Sequence, residues 1–269
     1  MTKKIITFGE IMGRLASPDF LRLRQCHSFD VTYAGAEASV AVSIANFSGD
    51  VTYVSALPKH ALADAALDSL RSFGVNTDHV IRSDQGRLGL YFLETGANQR
   101  PSRVIYDRQY STISLTEPTA YDWDTIFKDA GWIHLSGITP ALSSLAAEST
   151  LVAAKQAASK NINVSLDLNF RKNLWNWSKN KTSRELAKET MNKILPYVDV
   201  LIANEEDCSD ILDIKADNTD VSKGSIDATK YTQVAKSVCS KFNNISQVAI
   251  TLRESHSATH NSWGAMLYD

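Results

Sequence analysis

Short apolar runs rich in β-branched residues alternate with longer segments of helical period along most of the chain, and this alternation constrains the fold more than any other feature. Strand-like runs fall at residues 4–8, 51–56, 132–135, 163–168, 198–203 and 247–252. Between them lie helical segments at 36–47, with Val40, Ile44 and Phe47 on one face, and at 64–73, stopped by Gly74. Further helices are predicted over 144–159, entered through serine caps, over 183–195 behind a Thr182…Glu185 capping box, and over 229–242. The run at 198–203 is almost uninterruptedly apolar, as a strand covered on both faces must be. Strand followed by helix, repeated, predicts an α/β fold: a mostly parallel central sheet with helices on both faces.

Two regions, about 14–33 and 86–110, break the alternation with polar, period-two stretches such as Gly89-Leu90-Tyr91-Phe92-Leu93 and Arg103-Val104-Ile105-Tyr106. They are expected to form a small β lid over one end of a single domain spanning 1–269. Residues 215–227 are polar and predict a surface loop. At 43% hydrophobic residues the 269-residue chain can bury a sizeable core. Its net charge of −2 gives no general attraction to nucleic acid or anionic membrane. No apolar run reaches the roughly 20 residues that span a bilayer, and the stretch before Gly9 is too short for a signal-peptide core. Cys26, Cys208 and Cys239 are far apart and form no CxxC pair, which argues for a reducing cytoplasm rather than a disulfide framework. His256 and His260 stand among Ser, Thr and Asn without an acidic partner and predict a polar loop, not a metal site.

Open α/β sheets bind ligands beyond the carboxyl ends of their strands. Asp167-Leu168-Asn169-Phe170-Arg171 leaves one strand and offers a carboxylate, an amide and a guanidinium. Asn204-Glu205-Glu206-Asp207 leaves the next and opens a helix, where its carboxylates suit either the helix dipole or a Mg²⁺ ion. The lid segment carries Arg87, Arg100, Arg103 and Arg108 among Tyr91, Tyr106 and Tyr110, and only Glu94 and Asp107 as acids. This locally basic cluster points to a small anionic ligand. No Walker loop, GxGxxG or GxSxG is present.

Taken together, Thr7-Phe8-Gly9-Glu10, Ala34-Gly35-Ala36-Glu37-Ala38-Ser39-Val40-Ala41, Tyr106-Asp107-Arg108, His134-Leu135-Ser136-Gly137-Ile138, Asp167–Arg171 with Leu174-Trp175, and Asn204–Asp207 resemble ribokinase-like sugar kinases of the phosphofructokinase-B family. The subgroup they look most like is the 2-keto-3-deoxygluconate kinases. The resemblance implies ATP-dependent phosphorylation of that sugar acid to its 6-phosphate. It places Gly35, Ala36, Ser39, Tyr91, Tyr106, Arg108, Asn169 and Arg171 at the sugar, with Arg108 and Arg171 pairing its carboxylate. A neutral hexose would leave those two guanidinium groups without an anionic partner. Asn204, Asp207, Thr251 and Arg253 would stand at the nucleotide and phosphates, with Asp207 near Mg²⁺.

Three departures from the family pattern stand out: Ala34 and Ser39 where the signature has a second glycine and an asparagine, Asp207 where it has glutamate, and, the largest, the lack of the family's catalytic loop. The family's Gly-Ala-Gly-Asp loop, whose aspartate is the general base, is expected beyond Asp269, so the chain carries no catalytic base of its own. The lid implies a homodimer. The alternatives are a kinase for another sugar such as fructose or ribose, and a non-catalytic sugar-binding short form.

Overall fold

A computed structural model of the chain describes residues 3–214, 228–257 and 260–269. The expected loop at 215–227 lies outside the described residues.

The chain begins with β1 (Lys4–Phe8), crosses into β2 (Met12–Ala16) and β3 (Asp30–Ala34), and returns through α1 (Ala36–Asn46) to β4 (Val51–Pro58). Helix α2 (Ala61–Ser72), β5 (Val80–Ser83), β6 (Leu90–Glu94) and β7 (Arg103–Asp107) follow. Three one-turn helices come next, α3 (Thr112–Leu115), α4 (Trp123–Ile126) and α5 (Ile138–Ala141), with β8 (Ala130–Ser136) inserted before the last. The remainder is α6 (Ser144–Ser159), β9 (Asn163–Asp167), α7 (Ser183–Ile194), β10 (Val200–Ala203), α8 (Glu205–Leu212), α9 (Ala228–Lys241), β11 (Gln247–Ser255) and β12 (Asn261–Tyr268).

Eight strands form one sheet in the order β12-β11-β10-β9-β8-β1-β4-β5, parallel throughout except for the β11–β12 hairpin at its edge. The fold is therefore α/β with a mostly parallel central sheet. All eight positions of β4 are buried, the polar Thr52 and Ser55 included, as expected of a central strand covered on both faces. A second sheet of four strands, β3-β2-β6-β7, stands apart from the first. Within it β2 pairs antiparallel with β3 and parallel with β6.

Local signals explain most boundaries. Ser143 Oγ accepts from Ala146 N–H at the start of α6, and Thr182 and Glu185 close the expected capping box on α7. Gly74, at φ +84°, ends α2 in the left-handed conformation. One expectation fails at α1. Its fully buried residues are Glu37, Ala38 and Ala41; of Val40, Ile44 and Phe47 only Ile44 packs against the core, and Phe47 is 86% exposed. Small side chains let the helix sit close to the sheet. The Glu37 carboxylate is tolerated inside because Ser136 Oγ and Thr139 Oγ1 donate to its Oε1 at 2.7 and 2.9 Å. Burial still pushes this carboxyl up, against the hydrogen bonds from Ser136 and Thr139.

On β8, His134 is buried and its Nδ1 lies 2.9 Å from Ser165 Oγ. Burial pushes this imidazole down to about 4 from 6.5. The unfolded chain therefore takes up a proton between pH 6.5 and 4 before the folded one does, and stability falls as pH drops through that window. The expected loss is on the order of 3 kcal/mol. Urea unfolding at pH 7, 6, 5 and 4 should show this slope, and His134→Gln should flatten it.

Candidate active site

Two cavities adjoin at the carboxyl ends of the sheet strands. The first, of about 340 Å³, lies between the four-stranded sheet and the core. Its walls bring together all eight residues expected at the sugar: Gly35, Ala36, Ser39, Tyr91, Tyr106, Arg108, Asn169 and Arg171. Tyr91 on β6 and Tyr106 on β7 are cross-strand partners, with ring centroids 5.8 Å apart, and the Arg108 guanidinium lies 5.7 Å from the Tyr106 ring. Glu10, Met12, Ala34 and Ile138 complete the lining and were not expected at the sugar from sequence.

The arginines behave differently from expectation. Arg108 is buried and donates through Nη2 to Glu10 Oε2, so it already has an anionic partner. Arg87 is paired with Asp107 and Arg100 with Glu94. The basic cluster of the lid is thus largely neutralised within the lid and its hinge. Only Arg171 among the predicted sugar contacts keeps an exposed guanidinium with no ion pair among the described residues. Gly35 is also small for a reason beyond ligand approach, because a Cβ there would collide with the carbonyl oxygen of Glu10.

The second cavity, of about 500 Å³, is lined by Asp167, Asn204, Glu206, Asp207, Tyr231, Thr251 and Trp263, and shares Asn169 and Arg171 with the first. Three of the four residues expected at the nucleotide, Asn204, Asp207 and Thr251, meet here. The side chain of Arg253 lies outside the described residues. Asn204 is the N-cap of α8, and its Oδ1 accepts from Asp207 N–H at 2.7 Å. The carboxyl of Asp207 is pushed up to about 7, first by burial and then by the like charge of Asp167, with Arg171 pulling the other way. Asp167 is also raised, mainly by burial. Asn169 adopts φ +38°, a left-handed turn that asparagine tolerates, and its N–H donates to Asp167 Oδ1 at 3.1 Å. This bend carries the chain from the acidic cavity to the wall that both cavities share.

A lidded α/β core with two polar cavities meeting at one wall is suited to holding two small molecules end to end. Residues 2–250 match the pfkB family of carbohydrate kinases, and the chain belongs to that family. A 2-dehydro-3-deoxygluconokinase from Thermotoga maritima has a similar structure, with a TM-score of 0.91 and 45% identity over 99% of this chain and 77% of that one. In sequence the chain is 35% identical over 217 residues to a 2-dehydro-3-deoxygalactonokinase of Haloferax volcanii, covering 81% of this chain and 65% of the relative. It is 30% identical over 171 residues to a 2-dehydro-3-deoxygluconokinase of Bacillus subtilis, covering 63% of this chain and 52% of the relative. The chain therefore spans between about half and two thirds of the length of these curated relatives.

Proposed function

We propose that the protein serves the phosphorylation of 2-keto-3-deoxygluconate at its 6-hydroxyl, with the sugar acid in the lidded cavity and ATP in the acidic one. The observation that carries this reading is Arg171, an exposed guanidinium in the wall common to both cavities that makes no ion pair among the described residues. It offers a planar, bidentate partner to a carboxylate or a phosphate at the place where the two ligands meet. The relatives from Thermotoga maritima and Bacillus subtilis, whose names carry the same substrate, support the choice of a sugar acid.

Mg²⁺ fits the second cavity. Asp167 and Asp207 repel each other there, and a dication held by one or two carboxylates plus phosphates would relieve that repulsion. Asp207, with Asp167 beside it, would hold the ion, which supplies charge neutralisation for the phosphates. Asn204, Thr251 and Arg253 would orient the nucleotide. The residues of this chain bind and align the substrates and exclude water through the lid. Among the described residues Glu10 is the one carboxylate lining the sugar cavity, and it is engaged with Arg108. That pairing makes Glu10 a poor acceptor for the proton of a sugar hydroxyl, and we assign it no role as general base.

Exposed Phe29, Val31, Val104 and Ile105 on and beside the lid strands support a homodimer through the lid. Among the described residues no helix is long and apolar enough to cross a membrane. Three widely spaced cysteines without a CxxC pair support a reducing cytoplasm as the compartment.

A second reading, a kinase for a neutral sugar such as fructose, draws on the Glu10–Arg108 pair, which leaves one free guanidinium instead of two. Calorimetric titration with 2-keto-3-deoxygluconate and with fructose, alongside an ADP-formation assay, separates the two. Acid binding at least about tenfold tighter than fructose binding supports the proposal, and the reverse order overturns it. Rapid ADP formation that is lost in Glu10→Gln would overturn the view that Glu10 is not the general base.

A further inference from the structure

Four chain segments join the lid to the core, and they meet around one residue. The crossings are Gly9–Ile11 between β1 and β2, Ala34–Gly35 between β3 and α1, Leu88–Gly89 ahead of β6, and Arg108 after β7. Glu10 belongs to the first crossing and touches the other three. Its carbonyl oxygen fills the space a side chain at Gly35 would need, and its Oε1 lies 2.9 Å from where a Cβ of Gly89 would stand. Its Oε2 accepts from Arg108 Nη2. Glu10 and Arg108 are only 3% and 7% exposed, yet both line the sugar cavity. Their pairing is also incomplete, since Glu10 Oε1 and Arg108 Nε are buried without a hydrogen-bond partner. Buried polar groups are normally satisfied, and two orphans on one ion pair mark a contact that leaves capacity for another.

We propose that Glu10 is the internal counter-ion of Arg108, and that it sets how tightly the cavity holds an anionic sugar. The proposal rests on the sugar-acid reading above, because a carboxylate entering the cavity must share the guanidinium that Glu10 already holds. In the empty cavity Glu10 compensates the buried cation and ties the lid crossings together. Once an acid binds, two carboxylates face one guanidinium, and their repulsion subtracts from the affinity. A neutral sugar feels no such competition. Glu10 is thus a specificity-determining residue that moderates acid binding while keeping Arg108 positioned beside Tyr106.

The test is Glu10→Gln, which keeps the shape and a hydrogen-bond acceptor and removes only the charge. Calorimetric titration is run on the 269-residue chain with 2-keto-3-deoxygluconate and with fructose. The dissociation constant for the acid is expected to fall about tenfold, while that for fructose moves by less than about twofold. The melting temperature without ligand should drop, and the acid should restore more of it than in the parent protein. A purely structural Glu10 would lower the melting temperature and shift both ligands alike or neither, and that result overturns the proposal. If Glu10→Gln does not fold, Glu10→Asp withdraws the carboxylate by one methylene. It should then tighten acid binding by about threefold, and unchanged binding counts against the proposal. If the parent protein binds fructose and no acid, the sugar-acid reading fails by itself. Glu10→Gln must then bring acid binding into measurable range, and its failure to do so overturns the counter-ion assignment.

Discussion

Arg108→Ala is expected to lower the unfolding free energy by about 3–5 kcal/mol, the cost of leaving a buried charge without its partner. The partner is Glu10, 3% exposed and enclosed by the glycine crossings of the lid. Truncating the arginine removes its charge and also exposes the cavity wall beneath Tyr106. Urea unfolding at pH 7 measures the loss directly. Adding Glu10→Gln to Arg108→Ala should recover part of it, because the residual cost is the unpaired carboxylate. A loss below about 1 kcal/mol would show that the ion pair is not coupled to folding.

Arg171→Ala should do the opposite. This guanidinium is exposed and makes no ion pair among the described residues, so stability should stay within about 0.5 kcal/mol of the parent. Binding of 2-keto-3-deoxygluconate should weaken by about 30- to 100-fold, the loss of a charge-assisted bidentate contact of about 2–3 kcal/mol. Calorimetry and a melting curve on the same sample separate these effects. Unchanged acid affinity would remove the carboxylate from the shared wall and shift the choice of substrate toward a neutral sugar. The two arginines stand in one cavity and were equivalent in the sequence. One is committed to holding the hinge, and the other is available to a ligand.

That contrast shows what the sequence could and could not reveal. Parallel strands were legible because burial on both faces favours nearly continuous apolar, β-branched runs, as at β10. The capping box before α7 and Gly74 after α2 were legible because each depends on neighbours along the chain. The one-turn helices α3, α4 and α5 were not, since four residues are too few to display a helical period. The inward face of α1 was misread because hydrophobicity alone selected Phe47 and Val40. A carboxylate held by Ser136 and Thr139, about a hundred positions away, occupies the core side instead. Sites follow the same rule. Residues directly after strands, such as Asn169 and Asp207, were found from their place in the alternation. Tyr231 and Trp263 carry no local signal, and Glu10, legible only as the end of the opening motif, owes its pairing to a partner that only the tertiary fold supplies.

The parallel pairing of β2 with β6 has a consequence for the order in which the protein folds. Gly13 pairs with Leu90, so the seam of the lid joins residues separated by the whole β4–α2–β5 stretch. Closing so long a loop is entropically unfavourable until the intervening chain is already compact. The β2–β3 and β6–β7 hairpins can form early because their partners are neighbours in sequence, but neither can find the other until the main sheet has brought β1 beside β4. The topology thus makes joining of the two hairpins depend on a core already assembled. The lidded cavity, whose walls come from both sides of that seam, depends on the same late pairing.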